Sequence, residues 1–267
     1  MSSRLSRIQL VTIETFREIL LYNRWFQLSL LGLILLVLGI QGISQLPLGA
    51  SSAKLIYDLG QGVVLLSLGL VQIISLVSLL SKDLERGTLY TYLSSGLGRS
   101  EYLVGRCLGC WLSIAAVAFV VIAVLGLLVG KEIADLSAEG FSVFGPKLRA
   151  WIQLYCFLLQ QWLVLGALVV FLVVLSGSFL FPVVLSMLLW FTSMFASSAG
   201  GWNETSSGLA HILGTILPRF DIGNVSGNIW YGASLGLSGV WSITGFGLFY
   251  AILLLTAAVY LFNRREL

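Results

Sequence analysis

The sequence predicts an all-α membrane protein, with six transmembrane helices behind an amphipathic helix that lies on the membrane face. Three observations carry this. Of 267 residues, 58% are hydrophobic and 10% charged, and the mean hydropathy is +0.97; soluble domains are about 45–50% apolar and about 25% charged. The apolar residues gather into runs close to the roughly 20 residues a helix needs to cross a hydrocarbon core of about 30 Å. No Asp, Glu, Lys, Arg or His lies well inside those runs. The formal charge of +3 is too small to point to nucleic acid, and its distribution matters more than its sum.

Residues 1–24 form the first element. In "RLSRIQLVTIETFREILLY" the apolar Leu5, Ile8, Val11, Phe16 and Ile19 recur at helical spacing, while Arg7, Glu14, Arg17 and Glu18 fall largely on the other side. That pattern suits a helix lying in the membrane interface. The apolar run that follows is longer than the about 7–15 residues of a signal-peptide core, and "GASSA" at 49–53 resembles a cleavage site only superficially. The first run therefore reads as a retained span.

Spans are expected near 25–45, 60–81, 107–129, 151–175, 179–199 and 243–262. Pro182 falls early in the fifth and could kink it. Between the fourth and fifth the only punctuation is "SGS" at 176–178, which predicts a tight helical hairpin. The stretch 200–242 is rich in Gly, Ser and Trp. Its "GNIWYGASLGLSGVW" is too broken by glycine for a span and reads as a re-entrant or interfacial piece, with Trp202, Trp230, Tyr231 and Trp241 as headgroup-level anchors.

Orientation follows the basic residues. With a cytoplasmic amino terminus, the inner segments hold Arg4, Arg7, Arg17, Arg24, Lys82, Arg86, Arg99, Arg106, Arg264 and Arg265, against Lys54, Lys131, Lys147, Arg149 and Arg219 outside. Both termini are thus expected in the cytoplasm, and the chain in a bacterial inner (plasma) membrane.

Several chemistries are poorly supported. Cys107 and Cys110 have the C-x-x-C spacing of redox or zinc sites, but no second pair or nearby His completes a set; with Cys156 they read as packing residues. Met187 and Met194 make a poor soft-metal site. Ser207 precedes the only histidine, His211, by one helical turn, so a serine protease dyad is an alternative; no G-x-S-x-G elbow accompanies it. The nearest approach to a Walker A loop, "GLLVGKE" at 126–132, has the wrong spacing and Glu132 in place of a hydroxyl. ATP hydrolysis by this chain is not expected.

Neutral polar stripes are the notable content of the spans. Gln61 and Gln72 share a face of span two with Ser75 close by; Gln153 and Gln160 share one on span four; Ser186, Ser193 and Ser197 share one on span five. Interhelical hydrogen bonding and the lining of a substrate path or dimer boundary are both open readings. A single copy shows no internal repeat, so a closed two-fold dimer is the expected way to supply a second half.

The connection between spans two and three, 82–106, is far longer than the about 2–8 residues a helix connection needs. Leu84, Leu89, Leu93, Leu97 and Leu103 interleave there with Lys82, Asp83, Glu85, Arg86, Arg99, Glu101 and Arg106. The pattern describes a folded element at the membrane face that offers both signs of charge, suited to docking a soluble partner. Its motif is Glu85-Arg86-Gly87-Thr88-Leu89, then Leu93-Ser94-Ser95-Gly96, then Arg99-Ser100-Glu101-Tyr102-Leu103 and Gly105-Arg106. This resembles the ABC-2 type permeases, membrane subunits of ABC exporters, whose pattern is close to E-x-G-T-L…L-L-S-x-P-x-S-R-x-E-x-L-x-G-K. Gly96 departs from the usual Pro, and Arg106 from Lys. The opening "TFREILLYNRWF" and the ending "LFNRREL" are similar at lower specificity.

The resemblance implies a type V exporter-like architecture: a cytoplasmic amphipathic helix at 1–24, a six-span domain at 25–267 and an outer segment at 200–242. It implies that 82–106 is a coupling loop seated on an ATPase subunit, with Asp83, Glu85, Arg86, Gly87, Thr88, Arg99, Glu101 and Arg106 as docking residues. It further implies two permeases and two ATPases, with no cofactor on this chain and ATP and Mg on the partner. As cargo, an amphipathic, lipidic or small organic molecule suits the uncharged spans better than a bare ion. A non-transporting membrane scaffold using the same loop as an adaptor is the other reading from a different class.

Overall fold

The computed structural model describes residues 2–43, 52–85, 92, 94, 96–136, 144–198 and 237–264. Helix α1 (Ser2–Arg17) runs into a π-helical turn (Glu18–Tyr22) and is followed by α2 (Arg24–Ile43), α3 (Ser52–Glu85), α4 (Arg99–Leu136), α5 (Phe144–Ser176), α6 (Leu180–Ser198) and α7 (Leu237–Arg264). A helix thus stands at each of the six expected spans. Four of them are long and apolar enough by themselves to cross a bilayer, in α3, α4, α5 and α7. The first segment and α2 form a pair bent by 65° that makes a fifth candidate, and α6 contributes a shorter apolar helix, Leu180–Ser193. This is the architecture of an all-helical integral membrane protein.

The helix ends follow from local chemistry. The bend after the π turn is built by Asn23: its N–H donates to the Glu18 carbonyl at 3.0 Å, closing the wider turn, and its side-chain oxygen accepts from the Phe26 N–H at 3.3 Å. It thereby caps α2. Gln27 Nε2 reaches back to the carbonyls of Leu20 and Leu21, both at 3.0 Å, which the bend would otherwise leave open. At the other punctuation, Gly177 has φ +66 and ends α5 in the left-handed conformation that favours glycine. Pro182 is the third residue of α6 and Pro146 the third of α5. A first-turn proline removes no intrahelical hydrogen bond, so the expected kink in span five does not arise.

Packing is antiparallel and close where small residues allow it. Gly60 of α3 meets Leu125 of α4, and Gly69 of α3 receives the Trp190 ring from α6. Helices α4 and α5 interlock reciprocally: Trp111 Nε1 donates to the Leu159 carbonyl at 2.9 Å, and Tyr155 donates to the Ala115 carbonyl at 3.0 Å. On α7, Gly247 lies against Gln160 of α5. Bilayer lipid gives helices little hydrophobic reason to associate, so such small-residue contacts and interhelical hydrogen bonds must hold the bundle together.

Candidate functional site

Charged residues of α1, the end of α3, the start of α4 and the end of α7 converge where these elements meet, at one end of the bundle. Helix α1 lies against α4 because α4 offers it glycines. A Cβ at Gly105 would stand 2.7 Å from Val11, and one at Gly109 would stand 2.5 Å from Thr15 Cβ and 2.7 Å from the Thr12 carbonyl. Val11, Thr12, Thr15 and Ile19 are therefore the buried face of this segment. The threonine hydroxyls are tolerated there because each donates to its own helix, Thr12 to the Ile8 carbonyl and Thr15 to the Val11 carbonyl, both at 2.8 Å.

Arg106, one residue past the first of those glycines, is the hub. Its side chain is 3% exposed. It donates from Nη2 to Asp83 Oδ2 at 2.7 Å, and from Nη1 to Glu18 Oε2 at 2.5 Å and Thr15 Oγ1 at 3.3 Å. Its guanidinium carbon lies 5.6 Å from the ring centres of both Tyr92 and Tyr102, within cation–π range. Tyr102 also donates its hydroxyl to Asp83 Oδ2. A buried guanidinium is costly unless its charge is paired and its donors are used; two carboxylates from two different elements pair the charge here, while Nε has no hydrogen-bond partner. The planar fork of arginine suits two separate acceptors better than the point charge of lysine does, a physical reason for Arg at this position.

The other charges of the connection also act locally. Gly98 N–H donates to Glu101 Oε2 at 3.1 Å while the Tyr102 N–H donates to the Gly98 carbonyl, so Glu101 caps its own helix. Arg99 Nη1 lies 3.5 Å from the carbonyls of Phe262 and Asn263, at the end of α7. Arg7 Nη1 donates to the Gly96 carbonyl at 2.5 Å. Gly96 has φ +83, a conformation closed to proline, whose ring holds φ near −65°; the turn here is therefore not one a Pro-containing sequence can make. Tyr92 donates to Glu14 Oε1 at 3.4 Å. Burial pushes its phenol above the ordinary range, against the opposing pull of Arg106, so it stays protonated and able to donate.

Of the expected docking residues, then, Asp83 and Arg106 bind each other, Glu101 caps α4, and Arg99 approaches α7. Glu85 is the last residue of α3, and Arg86, Gly87 and Thr88 lie outside the described residues, as do Ser207, His211, Trp202, Trp230 and Tyr231. Of the residues proposed for a path or a dimer boundary, Gln61, Gln72, Ser186 and Ser193 point inward. Gln61 and Gln72 are buried on α3, and Gln72 Nε2 donates to the Trp162 carbonyl of α5 at 2.6 Å. This approach needs Gly166, where a Cβ would stand 2.7 Å from that nitrogen. Ser186 and Ser193 are buried on either side of Trp190, whose ring packs on Gly69 of α3; the Ser197 side chain lies outside the described residues. Cys107 and Cys110 are buried on α4 and Cys156 is exposed.

The sequence reading missed Glu18 and Tyr102 as partners of Arg106, and Gly105 and Gly109 as the seat of α1. The G-x-x-x-G spacing of the two glycines, continued by Ser113, was the available signal. Among the described residues no three His, Cys, Asp or Glu side chains come together as a metal set. The arrangement is suited to holding elements in place. No protein-family model and no curated protein matches the chain.

Proposed function

We propose that this chain is the membrane-spanning permease subunit of an ATP-driven transporter of the ABC-2 type, working as an exporter, with ATP and Mg bound by a separate soluble ATPase. The observation that carries the reading is the convergence on one bundle end of α1, the described parts of the 82–106 connection and the end of α7, with Asp83 and the motif residues Glu101, Tyr102, Gly105 and Arg106 all engaged in fixing it. A connection clamped on both sides is suited to receive force from a docked partner. Helices α2 and α6, of 20 and 19 residues, rise about 30 Å at about 1.5 Å per residue, enough to serve as the remaining two spans. Two permeases would pair, and the end bearing the clamp would face the cytoplasm, in line with its share of basic residues.

The test is purification of the tagged chain from its native membrane, with photo-cross-linkers placed at positions 86–91. A soluble ATPase bearing a Walker A loop should co-purify and cross-link there, and charge reversal at Glu85 or Arg86 should weaken the association. A complex without an ATPase, or an ATPase cross-linked only at the opposite end of the bundle, refutes the reading.

A further inference from the structure

Toward the end of the bundle away from Arg106, α4 and α5 enclose a groove of about 260 Å³. The sequence of α4 carves it. Phe119, Ala123, Gly126 and Leu127 share one face at helical spacing, large at the ends and small in the middle, and a Cβ at Gly126 would meet nothing within 4 Å. Trp151 and Tyr155 of α5 form the facing wall. Among the described residues the lining carries no charged side chain. The Tyr155 hydroxyl is spent on the Ala115 carbonyl at 3.0 Å.

The aromatic walls are fixed before anything enters. Tyr155 meets Phe119 edge to face with ring centres 5.9 Å apart, and Trp151 meets Tyr57 of α3 in the same way at 5.2 Å. Both walls belong to helices long and apolar enough to cross a bilayer. The rims Phe119 and Leu127 are 62% and 71% exposed, so the groove is continuous with the surface that the bilayer covers. Phe119 and Leu127 stand about 20 and 32 Å along α4 from Arg106, at about 1.5 Å per residue. The groove therefore runs lengthwise through the leaflet far from the clamp, over about 12 Å of the roughly 15 Å that half of a hydrocarbon core provides. A lipid chain has that direction, length and chemistry.

We propose that this groove holds one acyl chain of a membrane lipid, retained there while lipids elsewhere on the bundle exchange. Lipid tails are as apolar as the groove, so no hydrophobic gain drives entry. Retention comes instead from contact with walls that need no ordering. The site goes beyond the permease reading and does not depend on it.

Photolabelling of the full chain tests it, in palmitoyl-oleoyl phosphatidylglycerol vesicles with a trace of phosphatidylcholine bearing a mid-chain diazirine. Adducts mapped by mass spectrometry should concentrate on 119–127 and 151–155, about tenfold above Ile252 and Leu253 of α7, a preference that about ten extra dispersion contacts supply. Those two residues are 59% and 49% exposed, so exposure alone predicts similar labelling at both places. Gly126→Phe, whose ring enters the hollow, should bring groove labelling down to the α7 level. Ala123→Phe, which fills the groove from the same face, should do likewise, and Ile252→Phe should leave it unchanged; circular dichroism checks that each variant is folded. Labelling spread in proportion to exposure overturns the proposal, as does groove labelling that survives both fillings. A groove left unlabelled while α7 is labelled would mean that a second copy covers it, and overturns the proposal too.

Discussion

Removing the Arg106 guanidinium should release α1 from the bundle while leaving the spans assembled. Arg106→Ala takes the guanidinium from Asp83, whose side chain is 12% exposed, while the Tyr102 hydroxyl still donates to it. Breaking a buried pair by deleting one member costs about 3–5 kcal/mol, because an uncompensated charge is left behind. Glu18 is different: its side chain is 37% exposed, water screens it, and Glu18→Gln should cost about 1 kcal/mol or less. Neutralising both buried partners, as in D83N/R106M, should restore most of the loss, to within about 2 kcal/mol of the wild type. Titration into a denaturing detergent, followed by circular dichroism, gives the three values. Thiol labelling of a cysteine placed at the buried Val11 reports separately on whether α1 has come away from Gly105. The ordering is the test: an R106A loss below about 1 kcal/mol, or an E18Q loss equal to it, would show that the clamp does not carry the attachment.

Gly109→Val should also detach α1, since its side chain must enter space held by Thr15 and the Thr12 carbonyl; overpacking of about 1–3 kcal/mol and faster labelling at Val11→Cys are expected. Gly69→Ala, meeting the Trp190 ring, should be destabilising by a similar amount, whereas Gly62→Ala, which meets nothing within 4 Å, should be neutral or stabilising by up to about 1 kcal/mol through helix propensity; both are read by the same detergent titration. Gln72→Leu should cost about 1 kcal/mol or less, the worth of an ordinary interhelical hydrogen bond in a membrane, with its otherwise unpartnered Oε1 removed as well. Gly166→Ala should cost more, because the Gln72 amide occupies the space.

The sequence displayed what a bilayer imposes and hid what one side chain does to another across the fold. Six apolar runs correspond to helices because lipid forces each to satisfy its own backbone, and "SGS" marked the α5–α6 break because only Gly177 could turn there so tightly. Helices α3 and α4 overshoot the predicted 60–81 and 107–129, since their polar flanks continue the helix beyond the apolar stretch. The period of α1 was visible, but its buried face is not the most apolar one: Leu5 is exposed and Thr12 and Thr15 are inside. Periodicity ranks residues by hydrophobicity, whereas burial here is decided by the glycines on α4. The charges of 82–106 were legible as a cluster but not as pairs. Asp83 and Arg106 stand 23 residues apart, and nothing local says that one neutralises the other.

That pairing changes what the connection can do. A charged loop held only by its ends would absorb a displacement in its own flexibility. Here Asp83 fixes the end of α3, three residues before position 86, and the Glu101 cap and Arg106 fix the start of α4 soon after Gly96. The contacts Asp83–Tyr102 near one end and Gly60–Leu125 toward the other keep the same register along the α3–α4 pair. From Gly60 to Asp83 that pair is about 35 Å long at about 1.5 Å per residue, joined by packed side chains throughout. A push on the connection therefore arrives at α3, α4 and α1 together. It arrives also at α7, through Arg99 and the carbonyls of Phe262 and Asn263. The clamp does not extend to the 65° bend at Asn23 or to the Gly177 turn. Helices α2 and α6 are held to the α3–α4–α5–α7 core by buried apolar side chains instead, Phe26, Leu33, Val37 and Ile40 on α2 and Trp190 on α6. On α6 the Trp190 ring packs against Gly69 of α3, with Ser186 and Ser193 buried on either side of it.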